Sequence, residues 1–187
     1  MDFRGAWGAA GGIESAVRMD EARVLYRLAS EAPERVVEIG SWRGRSTVLL
    51  AHAVRGRGLV YAIDPFDGSV GVGGSTFAPR IANELRGNLR RLAPEGTVEF
   101  IQRHSVEVAQ SGEIDDVSLL WVDGDHSLAG TLGDWRAWLP RLRPGAKVAL
   151  HDRHFPGPAR VIEVALRDGW SIAEGVRSLV VLAPPEG

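Results

Sequence analysis

Val36-Val-Glu-Ile-Gly-Ser-Trp-Arg-Gly-Arg-Ser46 is the stretch that decides the fold. Val36, Val37 and Ile39 read as a buried strand, and Glu38-x-Gly40-x-x-x-Gly44 follows as a tight glycine turn into a helix. A turn of this kind, between a parallel strand and a helix, lets backbone approach a ligand and aims helix N–H groups at it. The carboxylate of Glu38 would repel a pyrophosphate. A ligand with a cationic end fits better.

Outward from this stretch, apolar runs alternate with helical periodicity. The predicted strands are 36–40, 59–64, 97–102, 117–123, 146–151, a weaker 170–174, and 179–183. The helices between them are 44–54, 78–92, 105–111, 128–142 and 157–168, with Gly87 interrupting the second and Pro140 nicking the fourth. Strands that are apolar throughout, rather than alternating, are covered on both faces. The pattern specifies an α/β fold, a doubly wound Rossmann-like sheet with helices on both faces. Residues 14–32 carry Ala16, Val17, Val24, Leu25 and Leu28 at helical spacing, and the glycine-rich residues 1–12 read as an arm or lid. The chain thus divides into an arm and helix covering the site (1–34) and a ligand-binding domain (35–187). The glycine stretch 68–74 follows the second strand, where a mobile active-site loop belongs.

Bulk composition removes several function classes. The 187 residues, 44% hydrophobic, suffice for one core, and a net charge of -2 gives no general pull toward nucleic acid or a membrane. The absence of cysteine excludes disulfides, thiolate metal sites and cysteine nucleophiles. Lys147 is the only lysine beside many arginines, a compositional bias rather than a functional one. The start lacks the apolar stretch of a signal peptide and no window approaches a membrane span, so a cytoplasmic protein is expected. Trp135 and Trp138 belong to the core or an interface, and with the terminal arm they point weakly to a homodimer. His52 is expected at the surface.

In doubly wound sheets ligands bind beyond the carboxyl ends of the strands, near the switch point beside the first strand. The residues there are Glu38 and Gly40, Asp64, His104 and Ser105, Asp123 with His126, and His151 with Asp152. Asp64 can accept hydrogen bonds from both hydroxyls of a ribose, or merely start a turn before Pro65. Gly40-x-x-x-Gly44 is not Gly-x-Gly-x-x-Gly, and no Gly-Lys-Ser/Thr occurs, so dinucleotide and ATP phosphates lack a cradle. S-adenosylmethionine, with an amino group, a sulfonium and a ribose, meets these demands. Asp123 and Asp152 end neighbouring strands at equivalent heights, about 5 Å apart. Carboxylates that close share a proton, raise one pKa, or bind a cation. His126, in Asp123-Gly-Asp-His126, is suited to take a hydroxyl proton, or else caps the helix after it. Ser105 caps a short helix or touches a base, and His154 lies in a loop able to line a substrate pocket.

Four segments together resemble class I S-adenosylmethionine-dependent methyltransferases. They are Val37-Glu-Ile-Gly-Ser-Trp-Arg-Gly-Arg-Ser-Thr47, Tyr61-Ala-Ile-Asp-Pro-Phe-Asp-Gly68, Trp121-Val-Asp-Gly-Asp-His126 and Leu142-Arg-Pro-Gly-Ala-Lys-Val-Ala-Leu-His-Asp152. The chain looks most like the small sugar and natural-product O-methyltransferases, and more distantly like the metal-dependent catechol type. The resemblance implies seven strands, the last one antiparallel. It places Glu38, Gly40, Ser41 and Gly44 around the methionine part, Asp64 on the ribose and Ser105 near the adenine, with Asp123 beside the cofactor. It also implies a divalent cation, Mg2+ or Mn2+, on Asp123 and Asp152, and His126 as the base. Two positions depart from the pattern: His151 stands where the sugar enzymes have Glu, and Arg153 where the catechol type has Asn. An imidazole at His151 would suit Mn2+ better than Mg2+, which wants oxygen ligands.

The expected reaction is methyl transfer to a hydroxyl of a small acceptor, a sugar or glycosylated natural product. Three alternatives stand beside it. They are N-methylation of an amino sugar, a non-catalytic cofactor-binding domain, and an iron hydroxylase built on His126, His151 and Asp152.

Overall fold

β1 (Arg35–Ile39) is buried from Val36 onward and lies at the middle of a seven-stranded sheet. The computed structural model describes residues 1–68 and 74–185, and the sheet runs in the order β3-β2-β1-β4-β5-β7-β6. Its other strands are β2 (Leu59–Ile63), β3 (Val98–Ile101), β4 (Val117–Val122), β5 (Leu142–Leu150), β6 (Ser171–Val176) and β7 (Leu179–Ala183). β1 pairs in parallel with β2 on one side and β4 on the other, so the chain reverses direction across the sheet at β1. A crevice therefore opens beyond Ile39 and Val122, where crossover connections leave in opposite directions. β7 alone runs antiparallel, pairing with β5 and with the edge strand β6.

The helices obey the same logic. α2 (Met19–Glu31) and α3 (Arg45–Val54) pack Leu25, Leu28, Leu50 and Val54 on one face of the sheet. α5 (Ser105–Ser111), α6 (Leu128–Trp138) and α7 (Pro156–Arg167) pack Val108, Trp135, Trp138 and Val161 on the other. α4 spans Gly74–Leu92. Every residue of β4 is buried, as expected of a strand covered on both faces.

Several expectations change in detail. The helix placed at 14–32 begins only at Met19, because the Glu21 side chain reaches back to the amide of Arg18 and fixes the start there. Within residues 1–12 the chain forms a helix, α1 (Phe3–Ala9), which buries Ala6 in the core and sets the Trp7 ring under Arg45. The helix placed at 128–142 stops at Trp138 and passes through a short 3-10 turn bearing Pro140, after which β5 starts four residues before its expected place. Gly87 is carried within α4 without breaking it. His52 is buried rather than superficial, its Nε2 3.0 Å from the Leu92 carbonyl oxygen. Trp135 and Trp138 belong to the core, so they give no support to a homodimer. Most of the glycine stretch 68–74 lies outside the described residues. Among those described, no helix is long and apolar enough to cross a membrane.

Candidate active site

The turn after β1 is shaped by two contacts absent from any local motif. Gly40 and Gly44 both hold left-handed backbone (φ 86° and 88°). A Cβ on Gly40 would stand 2.6 Å from the Cα of Gly124, so glycine here lets the β1 and β4 loops pass against each other. Between them, the amides of Ser41 and Trp42 donate to Oδ2 of Asp64, at 3.1 and 3.2 Å, while the Phe66 amide donates to Oδ1. The N–H groups that would cradle a phosphate are thus already satisfied by the carboxylate ending β2. Burial pushes the Asp64 carboxyl up from its ordinary value.

Glu38 is fully buried. Its Oε2 accepts from the hydroxyls of Ser41 (2.9 Å) and Thr47, whereas Oε1 has no partner among the described residues. Burial raises its carboxyl to about 7 against the nearby hydroxyls of Ser46, Thr47 and Ser41, with the charge of Asp123 adding to the rise. That oxygen is sealed inside the protein, and Glu38 meets the crevice through Ser41 rather than directly.

Beyond β4 and β5 the register sets the chemistry. Val122 pairs with Leu150, so His151, not Asp152, stands level with Asp123. The backbone then turns at Asp152 (φ 51°), which carries its carboxylate over the crevice. His126 Nε2 comes to lie 3.7 Å from Asp123 Oδ1 and 3.5 Å from Asp152 Oδ2, with no hydrogen-bond partner of its own among the described residues. At those distances the attraction is one of charge. The Asp123 carboxylate raises the imidazole pKa against the effect of burial, with Asp152 adding to the rise. Burial would raise the Asp123 carboxyl, but His126 and His151 hold it below the usual range. Asp123, His126 and Asp152 offer ligand atoms within 4.8 Å of one another, two oxygens and a nitrogen that suit Mn2+ better than Mg2+.

His151 packs against that group from inside the protein, its Nδ1 also 3.5 Å from Asp152 Oδ1. Its Nε2 lies 3.0 Å from Ser178 Oγ and 3.4 Å from Glu21 Oε2, and Nδ1 lies 3.1 Å from Asp123. Nε2 is engaged by Ser178 and Nδ1 has no hydrogen-bond partner among the described residues, while the group whose ligand atoms converge contains His126 and not His151.

A cavity of about 600 Å³ opens beside these groups, and neither Glu38 nor His151 borders it. Gly40, Ser41, Gly44, Asp64, Ser105, Asp123, His126 and Asp152 all border it, as do residues 14–16 ahead of α2. Two residues escaped sequence reasoning. Glu21 looks like an ordinary helix-start acid yet reaches His151 across the sheet end. Asp134, on α6, lies in the cavity wall and takes the hydroxyl of Ser105, which local periodicity does not signal.

The profile of a family described as a methyltransferase domain matches residues 37–153, more than half the chain. The chain belongs to this methyltransferase family. Solved structures agree on the fold. An O-methyltransferase from Bacillus cereus in complex with S-adenosylhomocysteine superposes with TM-score 0.70 at 15% identity, over 97% of this chain and 90% of that one. TomG from Streptomyces achromogenes, an O-methyltransferase in complex with S-adenosylmethionine, gives 0.67 at 19% identity, over 99% and 89%. An S-adenosylmethionine-dependent O-methyltransferase from Thermotoga maritima gives 0.69 at 12% identity, over 100% and 72%. The single mixed sheet, antiparallel only at its last strand, is the fold these enzymes share.

Proposed function

We propose that this methyltransferase takes S-adenosylmethionine as methyl donor and a hydroxyl of a small acceptor, a sugar or glycosylated natural product, as nucleophile. The observation that carries the reading is the unpartnered Nε2 of His126, held between Asp123 and Asp152 on the cavity wall. Bound S-adenosylmethionine supplies an electrophilic methyl group on a sulfonium. Glu38, buried behind Ser41, would favour its ammonium by charge, and Asp64, already fixed by three backbone amides, would retain a lone pair for the ribose. Displacement at carbon needs the acceptor oxygen in line, so positioning carries most of the acceleration.

His126 would take the proton that the acceptor hydroxyl loses, and Asp123 and Asp152 would stabilise the imidazolium formed. A divalent cation, Mg2+ or Mn2+, held by Asp123, Asp152 and His126, would lower the pKa of that hydroxyl instead. One imidazole nitrogen cannot serve both ends, so the proton acceptor and the cation ligand are alternative uses of Nε2. N-methylation is the second reading, favoured by the acidic lining from Glu14, Asp125 and Asp152, which attracts a protonated amine. That TomG acts in tomaymycin synthesis supports a natural-product acceptor.

Calorimetric titration of S-adenosylhomocysteine into metal-free protein, repeated with Mn2+, tests the reading. Micromolar binding supports it, and no binding under either condition overturns it. With an acceptor panel of hydroxylated sugars and phenols, His126→Ala should cut turnover by about 100-fold or more while S-adenosylhomocysteine still binds. Undiminished turnover would remove His126 from the chemistry.

A further inference from the structure

A second hollow, of about 470 Å³, lies at the start of α2 and is bordered by Arg18, Met19, Asp20, Arg23 and Arg177. Three guanidinium groups thus meet one carboxylate there, a local excess of positive charge in a chain whose net charge is -2. Two of the three are held in place. Arg177 stands at the β6–β7 turn on left-handed backbone (φ 50°) and pairs with Asp20, and the Arg23 guanidinium lies 5.0 Å from the centre of the Phe3 ring. Met19, 49% exposed, adds an apolar surface beside them. Guanidinium forks fixed around one space suit the paired oxygens of a phosphate or carboxylate.

The hollow adjoins the transfer site from two directions. Ser15 and Ala16 border the cavity, and Arg18 follows Ala16 by two residues, at most about 7 Å of chain. Arg177 precedes Ser178, whose hydroxyl oxygen lies 3.0 Å from Nε2 of His151, the neighbour of Asp152. The charges of the two spaces oppose each other. Asp123, Asp125 and Asp152 border the cavity around His126, so an anionic group is repelled there and drawn to the arginines.

We propose that Arg18, Arg23 and Arg177 form an oxyanion subsite that holds a phosphate or carboxylate carried by the acceptor, away from the hydroxyl that is methylated. The inference rests on the proposed methyl transfer and narrows its acceptors to those that bear an anionic group. Arg18 and Arg23 supply most of the attraction, since Arg177 shares its charge with Asp20. Exposed guanidinium groups hold an anion weakly because solvent and salt screen them. The subsite therefore orients the acceptor more than it tightens it, turning the uncharged end toward His126.

The test is calorimetry at low ionic strength, with and without S-adenosylhomocysteine, using inorganic phosphate, glucose 6-phosphate, glucuronate and uncharged glucose as probes. Inorganic phosphate should bind the wild type with a Kd of about 1–10 mM. Arg18→Gln and Arg23→Gln should each weaken it about 3-fold or more, whereas Asp20→Asn, which removes the competing carboxylate, should tighten it. Arg160→Gln, on α7, is the control and should change nothing. If the anion belongs to the acceptor, at least one charged sugar binds about 10-fold more tightly than both phosphate and glucose. Phosphate binding with no gain from either charged sugar assigns the hollow to free phosphate and overturns the proposal. So does a phosphate affinity that is absent from the wild type or unmoved by the arginine variants. Failure to bind S-adenosylhomocysteine while the anion site stays intact defeats the S-adenosylmethionine reading instead, a separate result.

Discussion

Nδ1 of His151 lies 3.1 Å from Oδ1 of Asp123, with the imidazole ring only 2% exposed. Burial alone would lower its pKa, yet the contact and charge of Asp123, joined by Asp152 and Glu21, push it to about 9. One imidazolium thus compensates carboxylates from α2 and from the end of β4. His151→Phe would leave Glu21 and Asp123 charged and buried without it. The expected loss is about 3 kcal/mol or more of folding free energy, read from the midpoint of urea denaturation. An unchanged midpoint would show that the ring is not their charge partner.

Glu38 links stability to pH. Its folded pKa, raised to about 7 from 4.5, lies above that of the unfolded chain, so the native state binds the proton more tightly. Stability is therefore fullest below 4.5 and falls as pH rises through 7. Glu38→Gln, which never ionises, should melt higher than wild type at pH about 8, the gap closing toward acid pH. The same variant should bind S-adenosylhomocysteine more weakly, having no charge for the ammonium. Parallel melting curves at both pH values would refute the buried ionisation.

Asp64 holds the turn as well as facing the cavity, because its carboxylate accepts from Ser41, Trp42 and Phe66. Asp64→Ala should cost about 2 kcal/mol of stability and weaken S-adenosylhomocysteine by about 10-fold or more. Asp64→Asn keeps one acceptor oxygen and should recover part of the stability. If the affinity stays at the wild-type level in both, Asp64 is a turn residue only.

Gly40→Ala tests the passage of the two loops. The new Cβ would combine a left-handed backbone (φ 86°) with a clash against the backbone of Gly124. A loss of about 2 kcal/mol or more is expected, with turnover falling because Asp123 sits on the displaced loop. Gly56→Ala is the control: its φ is 72°, but nothing lies within 4 Å of the added carbon. It should cost only about 1 kcal/mol. Equal costs at both positions would mean that strain alone, not loop contact, demands glycine at 40.

The α/β fold and the crevice at β1 were legible because strand burial leaves continuous apolar runs and ligand turns leave glycines. Asp64, Asp123, His126 and Asp152 stood out because they sit at strand ends, and all of them border the cavity. Periodicity carries no information past a strand end, where the backbone leaves its regular repeat. The same glycine turn that announced a ligand site has its amides closed by Asp64, more than twenty residues away in sequence.

The order of strands and helices, and the set of polar groups at the mouth, came from the amino-acid sequence without help, since both reflect local patterns of burial. Which of those groups meet was settled by tertiary structure alone. The pairing register put His151 level with Asp123, and the left-handed turn at Asp152 sent its carboxylate toward His126. Packing of α2 brought Glu21 to His151, and packing of α5 on α6 brought Ser105 to Asp134. These last two contacts join residues from about thirty to well over a hundred positions apart, and their distances depend on backbone angles and helix docking that no local pattern encodes.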